Sequence, residues 1–119
     1  MSPNTNQVSE LKERRCKPCD GKIEPHSPAR SRDIMKQLHK DWKLGADGKF
    51  IRREFQFKNF YRTMSFVNAV AHIANTEDHH PDLEVGYGNC NITFTTHAIK
   101  GLSENDFICA AKIDSLPVE

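Results

Sequence analysis

The sequence predicts an α+β fold: an antiparallel four-stranded sheet with helices packed on one face, in the order α-β-β-α-β-β-α. Three segments carry apolar residues at the spacing of three and four positions that is typical of a helix. Between them lie two pairs of short strand-like segments, each pair joined by a turn that contains glycine. Strands joined by short turns pair antiparallel, and the helices must then cover the apolar face of the sheet.

The first half of the domain has the signals of one helix and one hairpin. Ser27 and Pro28 form a typical N-cap and first-turn pair. The apolar face of the helix that follows contains Ile34, Met35 and Leu38. After the short strand WKL, the run GADG has the composition of a hairpin turn, and apolar and polar residues alternate in the returning strand FIRREFQF.

The second half repeats the order with a longer helix. Asn59 is suited to cap that helix, and Pro81 is expected to end it. The apolar stripe of the helix consists of Phe60, Met64, Val67, Ala71 and Ala74. Residues 83–87 and the run CNITFTTH follow as strands, with the turn GYGN between them. Ser103 and Asp106 then resemble the capping box of a last helix.

Residues 1–26 differ in composition from the domain predicted over residues 27–119. They are polar, contain prolines and lack sustained periodicity, so they are predicted to form a flexible arm. Cys16 and Cys19 form a C-x-x-C within it. A structural zinc site needs four ligands, and the chain has no second C-x-x-C to supply them. A reduced thiol pair is favoured, while a metal site that uses His26 or a second subunit stays open.

Composition narrows the class of function. The chain has 119 residues, with 17 Lys and Arg against 16 Asp and Glu, so it predicts one soluble globular domain. The net charge of +1 gives no basic footprint for nucleic acid or for a membrane surface. No apolar run approaches the roughly 18 residues of a membrane span, and the first residues lack the apolar region of a signal peptide. The expected location is the cytoplasm.

The stretch EDHHPD, residues 77–82, raises the question of function. His79 and His80 follow the long helix, and His97 ends the predicted strand CNITFTTH. If that strand lies beside the end of the helix, three imidazoles converge on one cleft. Imidazole titrates near neutral pH, so such a group suits metal-free acid–base chemistry, for example a dehydration.

Two other interpretations of these histidines compete with acid–base chemistry. They could stabilise the C-terminus of the helix by contact with its last carbonyl groups, although this leaves His97 without a role. They could also bind a metal, but the chain has no HEXXH or H-x-H pattern. The expected site therefore contains no metal. Glycine-rich nucleotide loops and the G-x-S-x-G of acyl-transfer enzymes are also absent from the sequence.

The run EDHHPDLEVGYGNCNITFTTHAIKGLSENDF resembles the pterin-4a-carbinolamine dehydratase family, in particular its bacterial members. The family pattern is an acidic residue, three positions, His-His-Pro, five or six positions, an aromatic residue, nine positions, His and a downstream Asp. This chain has His79-His80-Pro81, then Tyr87, His97 and Asp106 at matching spacings. The run FKNF also resembles the family's entry into its long helix, and the likeness extends from about Ser27 to Asp114.

The resemblance implies dehydration of a 4a-hydroxytetrahydropterin to a quinonoid dihydropterin. This reaction would recycle the tetrahydrobiopterin-type cofactor of an aromatic amino-acid hydroxylase, as in phenylalanine hydroxylation. In that picture His79 and His97 are the acid–base candidates, and His80 binds and orients the pterin. Further substrate contacts are expected from polar residues nearby, namely Asn75, Asp78, Thr95, Thr96 and Asp106. The pterin is the substrate, so no cofactor is expected.

Family members assemble as homodimers or homotetramers, and animal members also stabilise a transcription-factor dimer. A non-catalytic role as a protein-binding, dimerisation cofactor is therefore the alternative function. One residue departs from the family pattern, because Asn75 occupies the usual acidic position. An amide can bind a pterin or orient a histidine by a hydrogen bond, but it cannot stabilise an imidazolium by charge.

Overall fold

A computed structural model describes residues 11–18 and 21–117. Its regular elements are the helices α1 (Pro28–Met35), α2 (Phe60–Glu77) and α3 (Glu104–Asp114), the strands β1 (Lys43–Leu44), β2 (Ile51–Gln56), β3 (Asp82–Val85) and β4 (Asn89–Phe94), and one 3₁₀ turn (His97–Ile99). The predicted order of helices and strands is confirmed. No helix in the described part of the chain is long and apolar enough to cross a membrane.

The four strands form one antiparallel sheet in the order β1-β2-β4-β3. Pairing of β2 with β4 sets Ile51 opposite Phe94 and Phe55 opposite Cys90, and all four side chains are buried. The GADG turn between β1 and β2 closes as predicted, and Gly48 there has a positive φ of 72° that favours glycine. One face of the sheet is therefore apolar, and α2 and α3 cover it in a single core.

Helix α2 begins as predicted but turns a different face to the sheet. Asn59 caps it by accepting a hydrogen bond from the backbone of Arg62. Its buried residues are Thr63, Phe66, Val70, Ala74 and Glu77. The predicted stripe from Phe60 to Ala71 is instead a half-exposed flank. Apolar spacing fitted both faces, and the aromatic packing of Phe66 against Phe55 and Phe57, at 4.5 and 5.1 Å between ring centroids, favours the observed one.

The end of α2 also differs from the prediction. The helix ends at Glu77, four positions before Pro81, because Asp78 adopts the left-handed conformation with φ 55° and ψ 42°. The backbone N–H groups of Asp78 and His79 both donate to the carbonyl of Ala74, which satisfies the helix end. This reversal, rather than the proline, turns the chain toward the site described below.

Helix α3 lies at the centre of the molecule and most of its residues are buried. The predicted capping box is present: the Ser103 side chain pairs with the backbone of Asp106, and the Asp106 carboxylate accepts from the backbone of Ser103. Most of the helix surface is covered because the sheet, α2 and residues 11–18, called the N-terminal segment below, all pack around it.

The N-terminal segment and His26 contact the domain, although both lie within the arm of residues 1–26 that the sequence predicts to be flexible. Leu11 is buried in the main core. Residue Lys17 forms two backbone hydrogen bonds with the Asn105 side chain, at 3.0 and 2.7 Å. The backbone of His26 donates to Leu102. Cys19 lies outside the described residues, so the predicted Cys16–Cys19 pair cannot be placed as a pair.

A buried ion pair connects the last turn of α3 to the sheet. Arg53 extends from β2 toward the core, and its guanidinium donates a hydrogen bond to the Asp114 carboxylate at 2.7 Å. The same carboxylate accepts from the Trp42 indole at 2.8 Å and from the backbone of His39 at 2.9 Å. The side chains of Arg53 and Asp114 are only 10% and 17% exposed, so water cannot readily replace these contacts.

We predict that Asp114→Ala lowers the free energy of unfolding by about 2–4 kcal/mol, since it leaves a buried guanidinium and an indole N–H without an acceptor. Asp33→Ala is the matched control, because its pair with Lys36 is almost fully exposed and should be worth less than about 0.5 kcal/mol. Urea unfolding followed by circular dichroism measures both values. Equal losses in the two variants would contradict this account.

Candidate active site

A buried carboxylate organises the candidate site. Asp106, in the first turn of α3, has no exposed surface. Its Oδ2 accepts from the Thr96 hydroxyl at 2.7 Å and from the Ser103 backbone at 3.0 Å. Its Oδ1 lies 2.6 Å from Nε2 of His79. The Thr96 and Ser103 hydroxyls are also 2.8 Å apart. Every group around the carboxylate can donate a hydrogen bond, so this buried side chain is surrounded by donors.

The His79 ring is fixed on two sides. Nε2 of His79 lies 2.6 Å from the Asp106 carboxylate, and in the tautomer that suits a carboxylate acceptor Nε2 carries the proton between them. One face of the ring stacks on Phe94 of β4, with 5.9 Å between centroids and 6° between planes. The side chain is 11% exposed. Nδ1 is therefore the ring nitrogen that remains for chemistry with a bound molecule.

His97 reaches the same region by a different route from the predicted one. Strand β4 ends at Phe94, and His97 begins the 3₁₀ turn instead of ending the strand. Backbone hydrogen bonds between Thr96 and Gly101 close this turn, and His97 is exposed on it. Because the Thr96 side chain binds the carboxylate that also binds His79, the backbone that carries His97 lies next to the His79 site.

His80 is exposed and belongs to a separate hydrogen-bonded pair. Its Nε2 lies 3.1 Å from Oδ1 of Asn75, near the end of α2. The sequence places Asn75 one helical turn before His79, but α2 ends at Glu77 and the two residues after it leave the helical path. The amide therefore faces His80 rather than His79.

The other predicted substrate contacts differ in their availability. Asp78 is exposed at the helix end. The Thr95 hydroxyl donates a hydrogen bond to the Lys49 carbonyl at 2.6 Å. Thr96 is 3% exposed, and its hydroxyl donates a hydrogen bond to Asp106. The Asp106 carboxylate is fully enclosed. The geometry favours a direct substrate contact for Asp78, whereas Thr96 and Asp106 are suited to position His79.

A second buried carboxylate supports the end of α2. Glu77 accepts from the backbone N–H of Cys16 at 2.8 Å and pairs with Arg15 at 3.0 Å and Lys112 at 3.6 Å. Burial works against ionisation, but these three groups outweigh it and hold the pKa of Glu77 below its ordinary value. The stabilisation is therefore present at neutral pH and is lost as the pH falls through the folded-state pKa. Glu77 anchors the N-terminal segment two residues before His79.

The described residues at the site form no metal-binding cluster. In residues 11–18 and 21–117, no three His, Cys, Asp or Glu side chains are arranged to hold a metal ion. A cavity of about 290 Å³ lies beside the first half of α2, lined in part by Phe57, Tyr61 and Phe66. That cavity is far along the helix from His79 and offers no acid–base pair, so it is not the site that the histidines define.

Sequence reasoning found the three histidines and Asp106 but missed the groups that hold them. Phe94 lies in the predicted strand CNITFTTH, but its contact with the His79 ring has no sequence signal. Ser103 was recognised only as a helix cap, although its hydroxyl also contacts Thr96. The approach of Glu77 to the N-terminal segment spans about sixty positions and could not be read from local spacing.

Comparison with known proteins agrees with this fold. The sequence model of the family described as pterin 4 alpha carbinolamine dehydratase matches residues 24–116. A protein of Nitrosomonas eutropha, provisionally named as such a dehydratase, is 54% identical over 109 residues, which are 92% of this chain and 95% of the relative. A similarly named protein of Legionella pneumophila strain Lens is 50% identical over 112 residues, 94% of this chain and 99% of its own length.

Solved structures extend the comparison. The crystal structure described as a transcriptional coactivator/pterin dehydratase from Brucella melitensis has a TM-score of 0.72 and 26% identity, over 77% of this chain and 97% of that one. A pterin dehydratase-like protein, described as a RuBisCO assembly factor of the alpha-carboxysome, has a TM-score of 0.56 at 23% identity, over 65% and 89%, and shows only a shared fold. The fold is thus that of the pterin dehydratase-like proteins. With the match over residues 24–116, the chain belongs to the pterin 4 alpha carbinolamine dehydratase family.

We predict that Asp106→Asn costs about 1–3 kcal/mol of folding free energy, because an amide cannot accept from all the donors that surround the carboxylate. It should also abolish the downfield, slowly exchanging signal expected for the Nε2 proton of His79 in a proton NMR spectrum. Glu104→Gln is the matched control, since it neutralises the other acid in the first turn of α3. Loss of the signal in both variants would show that the effect comes from helix charge and not from the His79 contact.

Proposed function

We propose that the protein dehydrates a 4a-hydroxytetrahydropterin to the quinonoid dihydropterin by histidine acid–base catalysis. The observation that carries this proposal is the buried Asp106–His79 pair, found in a chain of the carbinolamine dehydratase family. The reaction removes a proton from a ring nitrogen and breaks the bond between C4a and its hydroxyl group, so that water leaves. One base and one acid are therefore required in the same site.

The contacts of the His79 ring suit it to act as an acid–base group. With Nε2 held by Asp106 and one ring face against Phe94, Nδ1 has a fixed direction. The negative carboxylate would stabilise the imidazolium that forms when Nδ1 takes a proton. We assign His79 as one acid–base group and His97 as the other, which protonates the leaving hydroxyl.

His80 and its neighbours would hold the pterin. The exposed His80 ring, oriented by Asn75, and the exposed Asp78 offer hydrogen-bonding groups for the polar edge of a pterin. Thr95 would act through its backbone, because its hydroxyl already donates to Lys49. The proposal requires neither a metal nor a nucleotide cofactor. By the family resemblance, the product would return to an aromatic amino-acid hydroxylase.

The decisive test is a stopped-flow assay on chemically generated 4a-hydroxytetrahydropterin in the presence of EDTA. Wild-type protein should accelerate dehydration without added metal. His79→Ala and His97→Ala should mainly lower kcat, by up to about 10²- to 10⁴-fold, and His80→Ala should mainly raise KM. Partial substitution of one histidine by another could reduce these losses.

His72→Ala is the control for this series, because His72 is an exposed histidine on α2 that belongs to none of these contacts. Its kinetics should equal those of wild type. Small and equal effects at His79, His80 and His97, with folding unchanged, would mean that the histidines only stabilise the helix end. Activity that EDTA removes and one metal ion restores would refute metal-free chemistry. A folded wild-type protein without activity would favour the alternative role as a protein-binding, dimerisation cofactor.

Self-association is the second part of the proposal. The chain exposes large apolar side chains on α2 and near the edge strand β3, among them Tyr61 at 79%, Tyr87 at 70% and Phe60 at 49% exposure. Phe60 and Tyr87 also stack on each other at 6.3 Å between centroids. Burial of such side chains favours a homodimer or homotetramer. We expect light scattering to give a mass of two or four chains, and Tyr61→Glu to lower it; a monomer at all concentrations would refute self-association.

A further inference from the structure

The thiols of Cys16 and Cys109 lie close together, near the backbone of His79. The Sγ atom of Cys16, in the N-terminal segment, lies 3.6 Å from the Sγ atom of Cys109 on α3. Both cysteines are free. The Cys109 thiol also faces the His79 carbonyl at 4.0 Å, and the Cys16 thiol faces the Asn105 carbonyl at 3.6 Å. These two residues are ninety-three positions apart in the chain, and the dehydration proposed above uses neither of them.

The contact between the sulfur atoms is held by the backbone around it. The N–H of Cys16 donates to Glu77 at 2.8 Å. The next residue, Lys17, is joined to the Asn105 side chain by two hydrogen bonds. Asn105 is one turn before Cys109 on the same helix. The N-terminal segment is thus attached on both sides of Cys16, which keeps the two thiols together.

We propose that Cys16 and Cys109 form an oxidation site at which a hydroperoxide converts the two thiols into a disulfide. In the first step, the Cys16 sulfur attacks the O–O bond. It becomes a sulfenic acid, and one molecule of water or alcohol leaves. In the second step, the Cys109 sulfur displaces the hydroxyl of the sulfenic acid, which leaves as water with the Cys109 proton. Two thiols are oxidised, one peroxide bond is reduced, and the new bond is S–S.

Exposure assigns the order of the two steps. Cys16 is half-buried, whereas Cys109 has no exposed surface, so Cys16 is the more accessible of the two residues to a small peroxide. The Cys16 thiol next to it, together with burial, raises the pKa of Cys109 well above its ordinary value, so Cys109 is the poorer first nucleophile. Cys16 is in a stretch without helix or strand. A disulfide length of about 2.05 Å is shorter than the 3.6 Å between the two sulfur atoms, so the sulfur atoms must approach each other, and we expect the backbone of Cys16 rather than α3 to shift.

Two other cysteines serve as internal comparisons. Cys19 is three positions from Cys16 in the sequence and is the competing partner. Cys90 is fully buried on β4, and burial raises its pKa to about 11, so it should stay reduced under mild oxidation. The proposed bond joins the N-terminal segment to α3, whereas a Cys16–Cys19 bond would leave α3 free.

The experiment treats full-length wild type and Cys19→Ser with hydrogen peroxide, blocks remaining thiols and digests with trypsin. Cleavage after Arg15, Lys22, Lys100 and Lys112 gives the peptides 16–22 and 101–112. We expect mass spectrometry to find these two peptides linked in both proteins, with two thiols lost per chain, and dithiothreitol to separate them. The oxidised Cys19→Ser protein should also melt at a Tm roughly 5 °C or more above its reduced form, because the bond closes a long loop.

Cys16→Ser and Cys90→Ala complete the design. Cys16→Ser should leave the peptide 101–112 reduced, and Cys90→Ala should form the link as wild type does. Cys16 is only half-buried. The folding of the Cys16→Ser variant can therefore be checked separately from the state of the Cys109 thiol. A bond confined to peptide 16–22, oxidation of Cys90 before Cys109, or an unlinked Cys19→Ser protein would each overturn the proposal.

Discussion

The buried carboxylate of Asp106 is the constraint on which the site depends. A charge without exposed surface must be surrounded by donors, and here they come from three parts of the chain: Ser103 before α3, Thr96 after β4 and His79 after α2. Each of these segments must reach the same point for the charge to be tolerated. Folding and the assembly of the histidine site are therefore the same event in energetic terms, because an open site would leave a buried anion without its partners.

The capping box of α3 serves two purposes with one side chain. In an ordinary capping box, the acidic residue at the third position returns a hydrogen bond to the cap and ends there. Asp106 does this with Oδ2 and still has Oδ1 free for His79. The positive end of the α3 dipole also favours a negative charge in the first turn. The element that starts the helix thus supplies the group that positions the His79 ring.

Local patterns predicted the local features of this molecule. Asn59, Ser27 and the Ser103–Asp106 box mark helix starts by direct side-chain chemistry, and all three were predicted correctly. The buried face of α2 was not, because apolar residues occupy more than one of its faces and only the partner element chooses between them. Asn75 precedes His79 by four positions, which would place the two on one face of a continuous helix, but the left-handed residue Asp78 ends that helix between them. The contacts between Glu77 and the N-terminal segment join residues far apart in sequence. Local spacing carries no information about such contacts.

The packing of residues 11–18 has a practical consequence for how the domain is delimited. The family match begins at residue 24, yet Leu11 contributes to the main core and Cys16 covers part of α3. An expression fragment cut at the start of the match would uncover apolar surface on α3 and remove a partner from the Glu77 carboxylate. The physical boundary of the domain therefore lies upstream of residue 24, where the match to the family model begins.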